Sequence, residues 1–204
     1  MVNNMKKKLL YLGLIATLFL GCTAKYMPIP SSQVVISEYL GIVNAPEYQF
    51  AAENRYWSYE PDEFSEYFIS FYVVLRNRSE SNLQVSSADF VLIDEAGNQF
   101  DAIPNDYLER LTEPSQLELY NDSTLNGSHF FDEDEVLHEE QSSLEKWQKA
   151  RENLIRYVFR YGELRPGARK SGYLFFPKMS ERNQSCRVIY KESEIEFSKL
   201  KDKK

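Results

Sequence analysis

The sequence predicts a mainly β protein, an antiparallel β-sandwich with a helical insertion. Several short runs alternate apolar and polar residues with the two-residue period of a strand, and turn-forming residues separate them. Strands and helices do not alternate regularly, which argues against a parallel sheet. Residues 33–198 are expected to form this single domain, with the insertion at 104–161.

The first residues of the sequence have the pattern of an export signal. Residues 1–8 carry Lys6, Lys7 and Lys8 and no acid, and a run from Leu9 to Leu20 is almost entirely apolar. This run of about a dozen residues is shorter than the ~20 that a membrane-spanning helix needs. Residues 1–21 are therefore expected to be a signal peptide.

The end of the apolar run, Leu18 to Cys22, resembles the lipobox of bacterial lipoproteins. In that family the cysteine is diacylated and the chain is cut just before it, so the resemblance implies a membrane anchor on Cys22. The alternative is an ordinary secretory signal with an incidental cysteine. No Asp follows Cys22 directly, and in Gram-negative bacteria this implies the outer membrane, with the domain facing the periplasm.

The net charge of the chain limits the classes of molecule that it is expected to bind. Residues 1–21 contain three lysines and no acid, so their removal leaves 183 residues and changes the net charge from −7 to −10. This charge argues against nucleic acid as a partner. The basic tail, residues 199–204, is expected to be a frayed end.

Cysteine usage excludes a disulfide framework. If Cys22 carries a lipid, Cys186 is the remaining thiol, and it lies in an alternating run that ends at Tyr190. A buried core thiol is therefore expected rather than a reactive one.

The first segments after the signal are a linker and a strand. Residues 22–32 contain Pro28 and Pro30 and are expected to be an extended linker that reaches about 30 Å at most. Residues Gln33 to Leu40 are expected to be the first strand.

The clearest strand is Glu66 to Arg76. One of its faces is expected to be wholly in the core and carries Tyr67, Ile69, Phe71, Val73 and Leu75. The following elements are expected to be Leu83 to Val85, Phe90 to Ile93, a hairpin turn at Gly97, and Gln99 to Ile103.

The insertion and the C-terminal strands complete the pattern. Pro104 to Gln141 is polar and acidic, and a helix is expected from Ser142, which forms a capping-box pattern with Glu145, to Gly162. The last strands are expected to be Lys170 to Phe176, Cys186 to Tyr190 and Glu194 to Phe197.

Residues 33–197 are similar to the immunoglobulin-like domain of many uncharacterised bacterial lipoproteins. The similarity rests on Tyr72 to Ser79, on Ser87 to Asp94 followed by Gly97, and on the later residues Leu164, Pro166, Gly167, Gly172, Phe175 and Phe176. It implies an immunoglobulin-like sandwich and no particular activity.

Residues 129–140 form an acidic cluster with six acids and both histidines of the chain. Its candidate ligands for Ca²⁺ or Zn²⁺ are His129, Asp132, Asp134 and His138. The spacing is neither that of a calcium loop nor that of a zinc-protease helix. A solvated acidic loop is the alternative, and no cofactor is expected.

Residues 48–59 form an aromatic cluster interleaved with acids. Its rings, which are candidates for binding a partner protein or a glycan, belong to Tyr48, Phe50, Tyr56, Trp57 and Tyr59. The alternative is that these rings close over the edge or the end of the sandwich.

Motifs of nucleophilic catalysis and of phosphate binding are missing from the sequence. No serine lies in a Gly-x-Ser-x-Gly elbow, and the glycines form no phosphate-binding loop. The chain is therefore expected to be a membrane-anchored, non-catalytic binding or structural module that contacts another envelope protein. The alternative is a metal- or small-ligand-binding lipoprotein that uses residues 129–140.

Overall fold

A computed structural model describes residues 25–112 and 133–200, with the backbone alone described for 133–143. In chain order the strands are β1 (Tyr26–Pro28), β2 (Val34–Ser37), β3 (Leu40–Asn44), β4 (Tyr48–Asn54), β5 (Phe68–Asn77), β6 (Leu83–Val85), β7 (Phe90–Asp94), β8 (Gln99–Asp101), β9 (Gly162–Leu164), β10 (Arg169–Pro177), β11 (Ser185–Tyr190) and β12 (Ser193–Lys199). The helices are α1 (Phe64–Tyr67), α2 (Asn105–Leu111) and α3 (Glu133–Tyr157).

The strands form the predicted antiparallel sandwich. Sheet one has the order β1-β12-β11-β7-β8, sheet two has the order β10-β5-β4-β3-β2, and β6 pairs with β9 in a small third sheet. Helices α2 and α3 lie between β8 and β9, which confirms the helical insertion. None of the described helices is long and apolar enough to span a membrane.

The main core lies between the two large sheets. Phe71, Val73 and Leu75 of β5 are fully buried, as the alternation predicts, and they face residues of sheet one such as Phe197. The prediction is wrong for Tyr67, whose side chain is 66% exposed. Tyr67 ends α1 before the strand begins, so the two-residue alternation does not extend to it.

The predicted linker is too long. Tyr26–Pro28 pairs with β12 from Lys199 to Phe197, and the Tyr26 N–H donates a hydrogen bond to Asn54 Oδ1 at 2.9 Å. Pro28 is tolerated because β1 is an edge strand. The linker therefore ends at about residue 25, and the sandwich begins before residue 33.

Two further boundaries differ from the predictions. The expected strand Gln33 to Leu40 is a hairpin of β2 and β3, with the positive φ of 57° that a tight turn needs at Glu38. The expected basic tail starts too early, because Lys199 belongs to β12 and the Leu200 N–H donates to the Lys25 carbonyl at 2.9 Å.

The predicted helix of the insertion begins and ends earlier than expected. Helix α3 starts at Glu133 rather than Ser142 and ends at Tyr157 rather than near Gly162. Helix α2 lies in the polar, acidic stretch from Pro104 to Gln141, for which no element was predicted. Helix α3 ends because the next residues pair with β10. The Phe159 N–H donates to the Tyr173 carbonyl at 2.9 Å, so the backbone of this segment extends sheet two.

Strand β10 is buried on both faces. Leu174 and Phe176 point into the main core, whereas Tyr173 and Phe175 point to the outer face of sheet two. There they form a second core with Trp57, Phe64, Leu108, Leu154 and Val158. Each large apolar side chain buried in this way stabilises the fold by about 1.5–3 kcal/mol.

The sandwich has two poles at opposite ends of its strands. The terminal pole contains Lys25, Asn54 and Leu200, which hydrogen bonds at both ends of the chain bring together. The distal pole contains Asn77 and Tyr48, whose hydroxyl donates to the Tyr190 carbonyl at 3.4 Å. Strand β4 connects the poles, and its five residue steps from position 49 to 54 span about 17 Å.

We predict that Gly172→Ala destabilises the protein by disturbing the contact between β10 and the segment that follows α3. A Cβ at this position would lie 2.5 Å from the Phe159 nitrogen and 2.7 Å from the Val158 carbonyl carbon. Such overpacking costs about 1–3 kcal/mol. Thermal unfolding followed by circular dichroism should show a Tm lowered by roughly 2–12 °C.

The matched control for Gly172→Ala is Ser171→Ala, at an exposed position near the start of the same strand. Its Tm should stay within about 2 °C of wild type, because exposed substitutions cost little. Equal Tm values for the two variants would contradict the tight contact at Gly172.

Candidate functional site

Three of the five candidate aromatic residues are buried, so the prediction that they bind a partner is wrong for them. The exposed fraction is 6% for Tyr48, 0% for Phe50 and 1% for Trp57. Tyr48 and Phe50 lie on the inner face of β4, where both rings contact Tyr190 at centroid distances of 4.9 and 5.6 Å.

Trp57 and Tyr59 lie in and beside the second core. The Trp57 ring lies 5.2 Å from both Tyr173 and Phe175, and its Nε1–H donates to the Pro61 carbonyl at 3.0 Å. Tyr59 stacks on Tyr157, the last residue of α3, at 4.0 Å. Of the five candidate rings, the one that is half exposed is Tyr56. The structure thus favours the alternative in which the rings close over the sandwich.

Two groups of predicted site residues cannot be located in the described part of the chain. Cys22, His129 and Asp132 lie outside the described residues, as do the side chains of Asp134 and His138. Lipidation of Cys22 and metal binding by residues 129–140 therefore stay predictions. Within the described residues, no three His, Cys, Asp or Glu side chains form a group that could hold a metal ion.

Cys186 is the buried core thiol that its alternating run predicts. It is 1% exposed, and burial, followed by the nearby charges of Asp94 and Glu196, raises its pKa to about 12. The thiolate is the nucleophilic form of cysteine, so this residue is unreactive at neutral pH.

A polar groove at the distal pole is the best candidate for a binding site. It has a volume of about 450 Å³ and is lined by Asn44, Gln49, Arg76, Asn77, Arg78 and Gly167. These residues come from β3, β4, β5, the position directly after β5 and the turn between β9 and β10. The sequence analysis missed the groove because no single segment contains enough of it to form a motif.

Strand register aligns the groove residues on the outer face of sheet two. Asn44 lies opposite Gln49, Gln49 lies opposite Arg76, and Arg76 lies opposite Arg169. Side chains of residues opposite each other in antiparallel strands point to the same face and start about 4.5–5.5 Å apart. The four side chains therefore form one polar row across four strands.

Asn77 lies at the bottom of the groove and stabilises it through hydrogen bonds. It is fully buried, and its Nδ2 donates to the carbonyls of Leu164 at 2.9 Å and Ser81 at 2.7 Å. Its carbonyl accepts the Gly167 N–H at 3.1 Å. Asn77 therefore ties the end of β5 to the turn before β10.

Gly167 keeps one wall of the groove open. It follows Pro166 with a φ of +72°, and the Ala168 N–H donates to the Arg165 carbonyl at 3.0 Å. A Pro-Gly pair in this arrangement is typical of a type II turn. Apart from Gly167 itself and its two chain neighbours, no atom of the described residues lies within 4 Å of the position that a Cβ on Gly167 would occupy.

The groove is positively charged. Arg78 Nη1 donates to Asn44 Oδ1 at 3.4 Å, and the same oxygen accepts from Gln49 Nε2 at 2.8 Å. Within the described part of the chain, no carboxylate oxygen lies within 4 Å of the guanidinium nitrogens of Arg76, Arg78 or Arg169. Guanidinium groups bind carboxylates, phosphates and sulfates, often through two parallel hydrogen bonds.

Comparisons with known proteins give little further information. No protein-family model matches the chain, and no curated protein matches it. Among solved structures, a functionally unknown protein from Listeria monocytogenes EGD-e is similar over 87% of this chain and 82% of its own, at 9% sequence identity and a TM-score of 0.32. A similarity of this strength carries no argument about function.

We predict that Trp57→Ala destabilises the protein far more than Tyr56→Ala. Truncating a buried Trp costs about 3–5 kcal/mol. The Tyr56 hydroxyl contributes one exposed hydrogen bond to Ser65 Oγ at 2.7 Å, and its loss should cost about 1 kcal/mol or less. Urea unfolding at equilibrium measures both changes. Equal losses of free energy of unfolding would contradict a structural role specific to Trp57.

Proposed function

We propose that this chain is a membrane-tethered, non-catalytic binding module of the bacterial cell envelope. A lipid on Cys22 anchors it, and the distal groove binds another envelope component. The signal peptide and lipobox pattern of residues 1–22 support the anchor. The contacts of the described residues support the rest of the proposal.

The observation that carries the proposal is the location of β1 and of the groove at opposite poles. Four residue steps separate Cys22 from Tyr26, so the linker reaches at most about 14 Å. This short linker would keep the terminal pole near the bilayer. The groove lies about 17 Å further along β4 and would therefore be held farther from that bilayer.

The chemistry of the groove favours binding over catalysis. Its lining supplies guanidinium and amide side chains together with the backbone of Gly167. These groups donate and accept hydrogen bonds, but guanidinium and amide groups do not exchange protons readily near neutral pH. The alternative of metal or small-ligand binding at residues 129–140 rests on sequence alone.

Photocrosslinking in cells tests the proposed function. A benzoylphenylalanine at position 49 of the full-length chain would lie in the groove, and its matched control at exposed position 182 lies near the terminal pole. We expect a reproducible adduct of higher mass from position 49 and none from position 182. No adduct from position 49, or equal adducts from both positions, would contradict binding at the groove.

A Cys22→Ser variant tests the tether in the same cells. The wild-type chain should stay in the membrane pellet after a carbonate wash, whereas the variant should be released because two or three acyl chains are lost. A variant that stays in the pellet would argue against lipid anchoring without bearing on the groove.

A further inference from the structure

Two like charges face each other at the edge of the groove. Arg76 and Arg169 are directly opposite in the β5–β10 pairing, and like charges in that position destabilise a sheet. Arg78 lies two residues further along the chain and adds a third guanidinium to the same pole. The described residues supply no carboxylate within 4 Å of any of the three.

This excess of positive charge is local. The whole chain has 31 acids and 24 lysines and arginines. Among the described residues, four arginines outside this pole form ion pairs with acids, whereas Arg151, Arg156, Arg165 and Arg182 do not. Arg187 on β11 forms an ion pair with Glu194 at 3.2 Å, and Arg55 pairs with Glu53 at 2.6 Å. The groove and its edge differ from these sites because they bring together three guanidinium groups with no carboxylate within 4 Å among the described residues.

The hydrogen-bonding groups of the groove also suit an anion. Asn44 Oδ1 already accepts from Gln49 and from Arg78, so this acceptor is occupied. The Arg76 side chain makes no hydrogen bond or ion pair among the described residues, so its guanidinium N–H groups are available as donors. A volume of about 450 Å³ holds an oxyanion together with part of the molecule that carries it.

We infer that the groove recognises an oxyanion, a carboxylate, phosphate or sulfate group of its ligand, between Arg76 and Arg78. This inference rests on the proposed function because it names the chemistry of the component bound there. The bound anion would neutralise the repulsion between Arg76 and Arg169 and would accept hydrogen bonds from the guanidinium groups of Arg76 and Arg78.

The anion can belong to a molecule in the aqueous compartment or to a lipid headgroup. Location at the distal pole favours the first source, because the short linker holds the opposite pole near the anchoring bilayer. Free pyrophosphate and liposomes with phosphatidylglycerol serve as separate probes of the two sources.

The first measurement is isothermal titration of the full-length chain with pyrophosphate in an uncharged detergent. We expect saturable binding that weakens with added sodium chloride. Arg76→Gln should weaken it at least tenfold, whereas the control Arg187→Gln on sheet one should change it less than twofold. Circular dichroism confirms that both variants are folded. No binding by the wild-type chain, or equal binding by both variants, would overturn the inference.

The second measurement is co-sedimentation of the Cys22→Ser chain with liposomes, with and without phosphatidylglycerol. We expect no sedimentation that depends on Arg76. Sedimentation that requires both phosphatidylglycerol and Arg76, and that pyrophosphate inhibits, would support the oxyanion site but assign its ligand to a lipid headgroup.

Crosslinking from position 49 in the Arg76→Gln background separates this inference from the proposed function. If the adduct persists and no pyrophosphate binding is found with the wild-type chain, the oxyanion inference is wrong, and the proposal that the groove binds an envelope component is supported. If pyrophosphate binds through Arg76 but no adduct forms from position 49 in either background, the oxyanion site is supported, and the proposal that the groove binds an envelope component is wrong.

Discussion

The pairing of β5 with β10 is the interaction on which the rest of the structure depends. Nine residues of each strand are in register, from Arg76 opposite Arg169 to Phe68 opposite Pro177. The inner faces of the two strands form the main core, and the outer face of β10 holds the second core against α3. At the distal end, the same register brings two arginines together at the candidate groove. One strand pair therefore determines both the packing and the charge of the site.

Local sequence pattern predicts much of this fold. The long alternating strand before Asn77, the final hairpin of β11 and β12, the turn at Gly97 and the buried Cys186 follow from a two-residue period or from backbone sterics. Strand β1 was missed because three residues that include a proline show no periodicity. Its strand geometry depends on pairing with β12, which is distant in sequence.

The misassigned aromatic cluster and the groove both depend on tertiary structure. Trp57 is buried because α3 and β10 enclose it, and nothing in the acidic sequence around it indicates this cover. The groove needs the register of four strands, which sequence alone does not supply.

Several residues of the lipoprotein-like motifs have structural roles. Asp94, for example, accepts hydrogen bonds from the Asn98 backbone at 2.8 Å and from its side chain at 2.9 Å across the hairpin turn.

The central claim is that the groove is held away from the bilayer that anchors the chain. Energy transfer to acceptor lipids tests it, with a donor dye on Lys25→Cys or on Gln49→Cys in chains reconstituted into liposomes. Buried Cys186 should stay unlabelled because its pKa is about 12. We expect transfer to be stronger from position 25, which is about 17 Å closer to the bilayer along β4. Equal transfer, or stronger transfer from position 49, would contradict the claim.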